Sequence, residues 1–154
     1  MTEQTERIVY EESVRTVDWQ RELLEGLRSR AGALLATAFV ATAFFAAQAL
    51  HGRREDPLEW LATALFLIVV VSALIVLIPW RLQFVHHPHS LVAYHLDVDP
   101  PRDPNELYRT LAYWNGLRYN QNGRKLEVLF GVFGIACASL VAETVVWLIV
   151  LGGV

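Results

Sequence analysis

Cysteine is almost absent from this chain of 154 residues, because Cys137 is the only one. An intrachain disulfide is therefore excluded, and a thiol inside an apolar run is expected to pack rather than react. A basic excess is absent too, since the formal net charge is −3. We therefore expect no nucleic-acid partner, because proteins that bind nucleic acids carry strongly basic surfaces.

The motifs of common catalytic sites are also missing. The sequence contains no GxSxG, P-loop, GxGxxG or HExxH pattern. The polar segments are short and mostly helical in pattern, which leaves too little chain for a typical catalytic domain. We therefore predict a protein that is not an enzyme and that has no cofactor and no metal.

Charge is nearly absent from three long apolar runs, which occupy residues 31–50, 60–80 and 128–151 and contain Glu143 as their single charged residue. About 20 apolar residues in a helix cross the ~30 Å hydrocarbon core of a bilayer. The runs therefore predict an all-α integral membrane protein with three transmembrane helices and the lipid bilayer as its surroundings.

The polar segments divide the chain around these runs. The predicted order is an N-terminal arm and helix (1–30), a span (31–50), a short link (51–59), a second span (60–80), a long link (81–126) and a last span (127–151). The short link forces the first two spans into an antiparallel hairpin.

Helical patterns extend beyond the spans. Trp19, Leu23, Leu27 and Ala31 recur every four residues and predict one helix from about residue 14 to residue 50, after a frayed or mobile terminus at residues 1–12.

In the long link, Asp103 at the N-cap, Pro104 at N1 and Glu106 at N3 predict the start of an amphipathic helix over residues 104–119. Its stripe contains Leu107, Leu111, Trp114, Arg118 and Lys125. The sequence Asn-Gln-Asn-Gly at residues 120–123 predicts a kink or joint before the last span.

Orientation follows from the basic residues that flank the spans. The arm and the long link hold most of them, whereas the short link has only Arg53 and Arg54. The positive-inside rule therefore places the N-terminus and the long link in the cytoplasm and the C-terminus outside. We expect a multi-pass protein of a bacterial inner (plasma) membrane.

Glu143 is the most informative single residue, because an acid inside a span is costly and is often functional. Ser139 lies one turn earlier on the same face, and Thr42 of the first span lies at about the same depth. Three interpretations stay open: a neutral carboxyl group hydrogen-bonded between packed helices, a water-lined ion pathway, and a side chain that extends to the surface.

Small residues recur at four-residue spacing in two spans, at Gly32 and Ala36, and at Gly134, Ala138 and Ala142. Such faces allow a second helix to approach closely, which favours a homo-oligomer. Ordinary alanine content is the alternative.

The long link contains two further groups of candidate residues. Tyr108, Arg109, Trp114 and Arg118 form a candidate surface for a protein partner or a small nucleotide ligand, with packing or headgroup contacts as the alternative. His86, His87, His89 and His95 lack a cysteine nearby, and they indicate a polar loop more than a metal site.

Two stretches carry a resemblance. Residues 24–45 (LEGLRSRAGALLATAFVATAFF), and residues 106–148 with Tyr119, Lys125 and Glu143, resemble small actinobacterial three-span membrane proteins. More distantly, the order of arm, hairpin, helical link and last span is similar to Pycsar-type transmembrane effectors of antiphage defence. That similarity implies membrane disruption when a cyclic nucleotide is sensed.

Two functions follow as hypotheses. The first is a self-associating, membrane-perturbing or pore-like effector with Glu143 and Ser139 near the helix interface. The second is a membrane adaptor or scaffold whose cytoplasmic helices bind a protein partner.

Overall fold

A computed structural model of the chain describes residues 3–49, 57–80, 82 and 103–152. It contains the helices α1 (Glu3–Ala49), α2 (Pro57–Leu77) and α3 (Pro104–Gly152). No strand occurs among the described residues. The prediction of an all-α fold with three helices long and apolar enough to cross a membrane is confirmed.

The start of α3 follows the predicted capping chemistry. Asp103 Oδ1 accepts a hydrogen bond from the Asn105 amide at 3.1 Å, and the Asp103 carbonyl accepts one from the Glu106 amide at 3.0 Å. Pro104 occupies the first helical position, where its missing N–H leaves no bond unmade. The prediction of Asp103 as the N-cap is confirmed.

The helices are longer than the sequence patterns suggested. Helix α1 begins at Glu3, so the prediction of a helix that starts near residue 14 is wrong. Pairs one turn apart support this first part: Arg7 Nε lies 2.8 Å from Glu11 Oε1, and Arg15 Nη1 lies 3.1 Å from Glu12 Oε2.

Helix α3 also continues where an end was predicted, near residue 119. Residues 120–123 are helical, and Asn122 is almost fully buried beside Leu126 on the same face. Asparagine and glycine lower helix propensity by only about 1 kcal/mol or less per residue. Packing of this face therefore outweighs the local signal.

The chain divides into two compact units. Unit 1 comprises the described residues of Met1–Leu24 and Trp80–Leu126, and unit 2 those of Glu25–Pro79 and Glu127–Val154. In unit 1, α1 and α3 run parallel, since Ser13 contacts Asn115 and Gln20 contacts Tyr119. The buried side chains of unit 1 are Val17, Gln20, Leu24, Leu111, Asn115, Asn122 and Leu126.

The buried stripe of α1 differs from the stripe that the sequence predicted. Val17, Gln20, Leu24, Leu27 and Ala31 alternate steps of three and four residues, whereas Trp19 is 52% exposed. Steps of four rotate steadily around a helix, but an average step of 3.5 residues keeps one seam facing a neighbouring helix. The four-residue pattern through Trp19 was therefore the wrong period.

Five alanines are among the buried side chains of unit 2, beside larger ones such as Leu27, Val69 and Leu129. Ala31 and Ala38 of α1, Ala62 and Ala73 of α2, and Ala136 of α3 are buried almost completely. Small side chains let helix backbones approach closely, which is the usual basis of packing between membrane helices. At the end of α2, Arg28 Nη2 donates to the Ile78 carbonyl at 3.2 Å and satisfies a helix-terminal acceptor.

Candidate functional site

Glu143 lies in the packed interior of unit 2, where it is 1% exposed. Its Oε1 accepts a hydrogen bond from Thr42 Oγ1 of α1 at 2.5 Å and a longer one from Trp147 Nε1 at 3.4 Å. Thr42 and Glu143, which the sequence placed at similar depth, are thus direct partners. The carboxyl group is held between two helices and does not extend to the surface.

Aromatic rings surround this contact. Trp147 lies one turn after Glu143 on the buried face of α3, and its ring is stacked on Phe45 with centroids 6.1 Å apart and planes 18° apart. Ser139 is buried one turn before Glu143 on the same face. Leu129, Ala136, Glu143 and Trp147 therefore form one continuous packing seam.

The carboxyl group is bonded unevenly. Both donors are directed at Oε1, while Oε2 is buried and has no hydrogen-bond partner among the described residues. A buried polar oxygen without a donor is unusual in a packed interior. This arrangement can hold a proton, or it can accept one further donor, and these are the two chemical capacities of the site.

The predicted helix-packing residues lie largely outside the packed interior. Ala36, Gly134 and Ala138 are exposed, and Gly32 and Ala142 are partly exposed. A Cβ atom added at Gly32 or Gly134 would meet nothing within 4 Å. The helices of one protomer therefore pack through other small residues, such as Ala31, Ala38 and Ala136. The predicted residues Ala36, Gly134 and Ala138 stay accessible to another helix.

The four candidate surface residues of unit 1 have different surroundings. Tyr108 is paired with Tyr10 at a centroid distance of 5.5 Å, and Trp114 is 48% exposed. Arg118 is partly buried, and its Nη1 has no hydrogen-bond partner among the described residues. Only Arg109 of the four is among the described residues that line a cleft between α1 and α3.

That cleft, with a volume of about 440 Å³, lies between α1 and α3 in unit 1. Its described lining comprises Thr5, Glu6, Val9, Arg109, Ala112 and Tyr113. Tyr113 is 69% exposed and meets Trp114 edge to face, with ring centroids 6.2 Å apart. We call Val9, Tyr113, Trp114 and Leu117 the aromatic surface, since all four are exposed large apolar side chains.

Sequence reasoning missed the buried amides of unit 1. Gln20 donates from Nε2 to the Tyr119 carbonyl at 2.9 Å, and Asn115 donates from Nδ2 to Ser13 Oγ at 3.0 Å. Gln20 is 3% exposed and Asn122 is 2% exposed. The available signal was the 3.5-residue seam, because Gln20 falls between the apolar positions Val17 and Leu24 on that seam.

The described residues do not include 51–56 of the short link, or 81 and 83–102 of the long link, where the histidines at positions 86, 87, 89 and 95 lie. Three helices that can span a membrane by length and composition define a fold compatible with a multi-pass integral membrane protein. Comparisons with family models, with curated proteins and with solved structures found no match. The actinobacterial resemblance and the similarity to Pycsar-type effectors therefore stay predictions.

Proposed function

We propose that this protein is a non-enzymatic integral membrane adaptor that holds a protein partner at the membrane through unit 1. The observation that carries the proposal is the aromatic surface, where Tyr113 is 69% exposed and Trp114 is 48% exposed. Aromatic side chains are enriched at the centres of protein interfaces, and contiguous apolar patches on water-facing surfaces usually mark binding sites.

The neighbouring cleft supports a protein partner over a free nucleotide. Its walls include Val9, Ala112 and Tyr113, and it has an acid, Glu6, and a base, Arg109. A phosphate-bearing ligand is recognised best by converging basic groups, yet Arg109 is the only base among the described lining residues. A side chain inserted from a protein partner fits an apolar cleft with one group of each charge.

Site-specific photocrosslinking in intact cells tests this proposal. A benzophenone amino acid at Trp114 is expected to give one discrete protein adduct, because an interface presents the same neighbour in every molecule. The same probe at Asp18, an exposed polar position of unit 1, is the matched control. Lipid adducts alone at position 114, or the same adducts at both positions, would show that the surface contacts the bilayer or nothing specific.

We also propose that the protein self-associates through the small residues that its own fold leaves open. Gly134 is exposed, and an added side chain there meets no atom of the protomer within 4 Å. Gly134→Leu should therefore leave the protomer intact and block the close approach of another copy. Mass measurement in detergent should show a smaller particle for Gly134→Leu and an unchanged one for Val145→Leu, an exposed control.

The topology belongs to the same proposal. The basic residues of the arm and the long link support a cytoplasmic unit 1 and an outside C-terminus in a bacterial inner membrane. Fusion of alkaline phosphatase after residue 154 should give an active enzyme, because it folds only outside the cytoplasm. A reporter that fluoresces only when it folds in the cytoplasm is the complementary C-terminal fusion. Fluorescence of that fusion would contradict this orientation.

A membrane-perturbing effector is the second candidate, and the buried acid Glu143 is the observation that favours it, since acids in spans are often functional. Induced expression with a potential-sensitive dye separates the two candidates. Depolarisation that Glu143→Gln abolishes supports the effector, whereas a stable potential with a position-114 adduct supports the adaptor.

A further inference from the structure

The starting observation is that Thr42 behaves differently from the other threonines of the described spans. Thr37, Thr63 and Thr144 each donate to the carbonyl four residues earlier in their own helix, at 2.8–2.9 Å. This local bond is the usual choice of a hydroxyl in a membrane helix. Thr42 instead donates to Glu143 Oε1 on another helix.

The second observation is the distribution of donors around the carboxyl group. Thr42 and Trp147 both donate to Oε1, and Oε2 is buried without a partner among the described residues. An ionised carboxylate has lone pairs on both oxygens and needs donors for both. A protonated carboxyl group accepts mainly at its carbonyl oxygen, which is the pattern around Oε1. Its O–H at Oε2 then leaves one neutral donor without a partner among the described residues, which costs less than a buried anion with one oxygen unsolvated.

The third observation is the charge of the surroundings. Residues 31–49 of α1, 60–77 of α2 and 128–152 of α3 contain no Lys, Arg or His and no acid besides Glu143. Cys137 is their one other ionisable side chain. Thr42 and Trp147 are neutral, so no described cation faces the carboxyl group. A buried ion without a counter-ion is strongly disfavoured.

We propose that Thr42, Glu143 and Trp147 form a proton-binding site, in which Oε2 carries the proton and Oε1 is the carbonyl oxygen that receives both hydrogen bonds. The proton is the ligand of the site. Its release would leave a buried anion with one oxygen unsolvated, so water or a cation would have to enter between α1 and α3. The contact between these helices in unit 2 is therefore proton-dependent.

Infrared spectroscopy of the full chain in lipid vesicles at neutral pH tests the assignment, because protonated carboxyl groups absorb apart from carboxylates. The spectrum of the wild type minus that of Glu143→Gln is expected to contain one carboxylic-acid C=O band. A carboxylate band in that difference, with no carboxylic-acid band, would overturn the proposal.

A matched pair of threonine variants tests the geometry and does not depend on replacing Glu143. Thr42→Val removes a donor from Oε1, so the carboxylic-acid band should move to higher wavenumber. Thr144→Val removes a hydroxyl bonded within its own helix and should leave the band in place. Equal bands in both variants would show that Thr42 is not the partner, and the site as proposed would be wrong.

Discussion

Helices α1 and α3 meet in both units, but the chemistry of the two interfaces differs. In unit 1 the interface contains amides, with Gln20, Asn115 and Asn122 buried among leucines. In unit 2 the buried side chains of these helices are alanines and leucines with Ser139, Trp147 and the carboxyl group of Glu143. Each interface therefore has its own means of selecting one arrangement of the same two helices.

The difference follows from the surroundings that each unit is expected to have. Where water surrounds a helix pair, apolar burial drives association, and a buried amide selects one register at some loss of stability. Where lipid surrounds the pair, tails are as apolar as leucine, so close backbone approach and hydrogen bonds replace that driving force. The alanines of unit 2 and the amides of unit 1 fit these two regimes.

The largest effect is expected from enlarging a buried alanine of unit 2. Ala38 is fully buried, and Ala38→Leu would force α1 away from its neighbours. Overpacking of this kind typically costs about 1–3 kcal/mol. Ala36→Leu is the matched control, since Ala36 is exposed and belongs to the predicted packing set.

Unfolding by SDS in mixed micelles gives the free energies of unfolding for this pair. A loss for Ala38→Leu alone would support packing through Ala38. An equal loss for Ala36→Leu would show that Ala36 packs as closely as Ala38, either within the protomer or against another copy.

A double-mutant cycle on Ser13 and Asn115 should give the next largest effect. Asn115 Nδ2 donates to Ser13 Oγ at 3.0 Å in a partly buried contact. A neutral hydrogen bond of this kind contributes about 0.5–1.5 kcal/mol. We expect Ser13→Ala, Asn115→Ala and the double variant to give a coupling in that range by equilibrium unfolding. A coupling near zero would mean that the two side chains act independently.

The sequence predicted the elements better than their faces. Apolar runs, the cap at Asp103 and the helix type depend on local composition, and these agree with the structure. The face of α1 depends on its partner, and a step of four through Trp19 was indistinguishable from a step of 3.5 over so few turns. The continuous helix through residues 120–123 depends on the burial of Asn122. Helix propensities describe residues without their tertiary contacts, so they could not predict this burial.

The candidate site was predictable in part for the same reason. Glu143 is conspicuous because it is the single charge in a span, and depth along parallel spans relates it to Thr42. The participation of Trp147 and the unevenly bonded carboxyl group require side-chain geometry. The pairing of Tyr108 with Tyr10 likewise depends on how α1 packs in unit 1.

A smaller effect, and one that raises stability instead of lowering it, is expected from a substitution at Gly123. A Cβ atom added there would lie 3.6 Å from Gln20 Nε2, which is an ordinary van der Waals distance. Gly123→Ala should therefore stabilise α3 by about 0.5–1 kcal/mol through helix propensity. Amide hydrogen exchange across residues 117–126 should slow. Faster exchange there would mean that residues 120–123 need glycine as a joint, as the sequence suggested.

The smallest expected effect compares the polar contact of unit 2 with that of unit 1. A cycle of Thr42→Val and Glu143→Leu, each of which removes one partner of the bond, measures the coupling across α1 and α3, and hydrogen bonds between membrane helices average about 0.6 kcal/mol. The value is modest because the unfolded chain in lipid finds other partners for the same groups. SDS unfolding of the four proteins, with Thr144→Val replacing Thr42→Val as control, gives the comparison. A coupling well above that of Ser13 and Asn115 would show that Glu143 is the main determinant of helix pairing, and that the alanines only accommodate it.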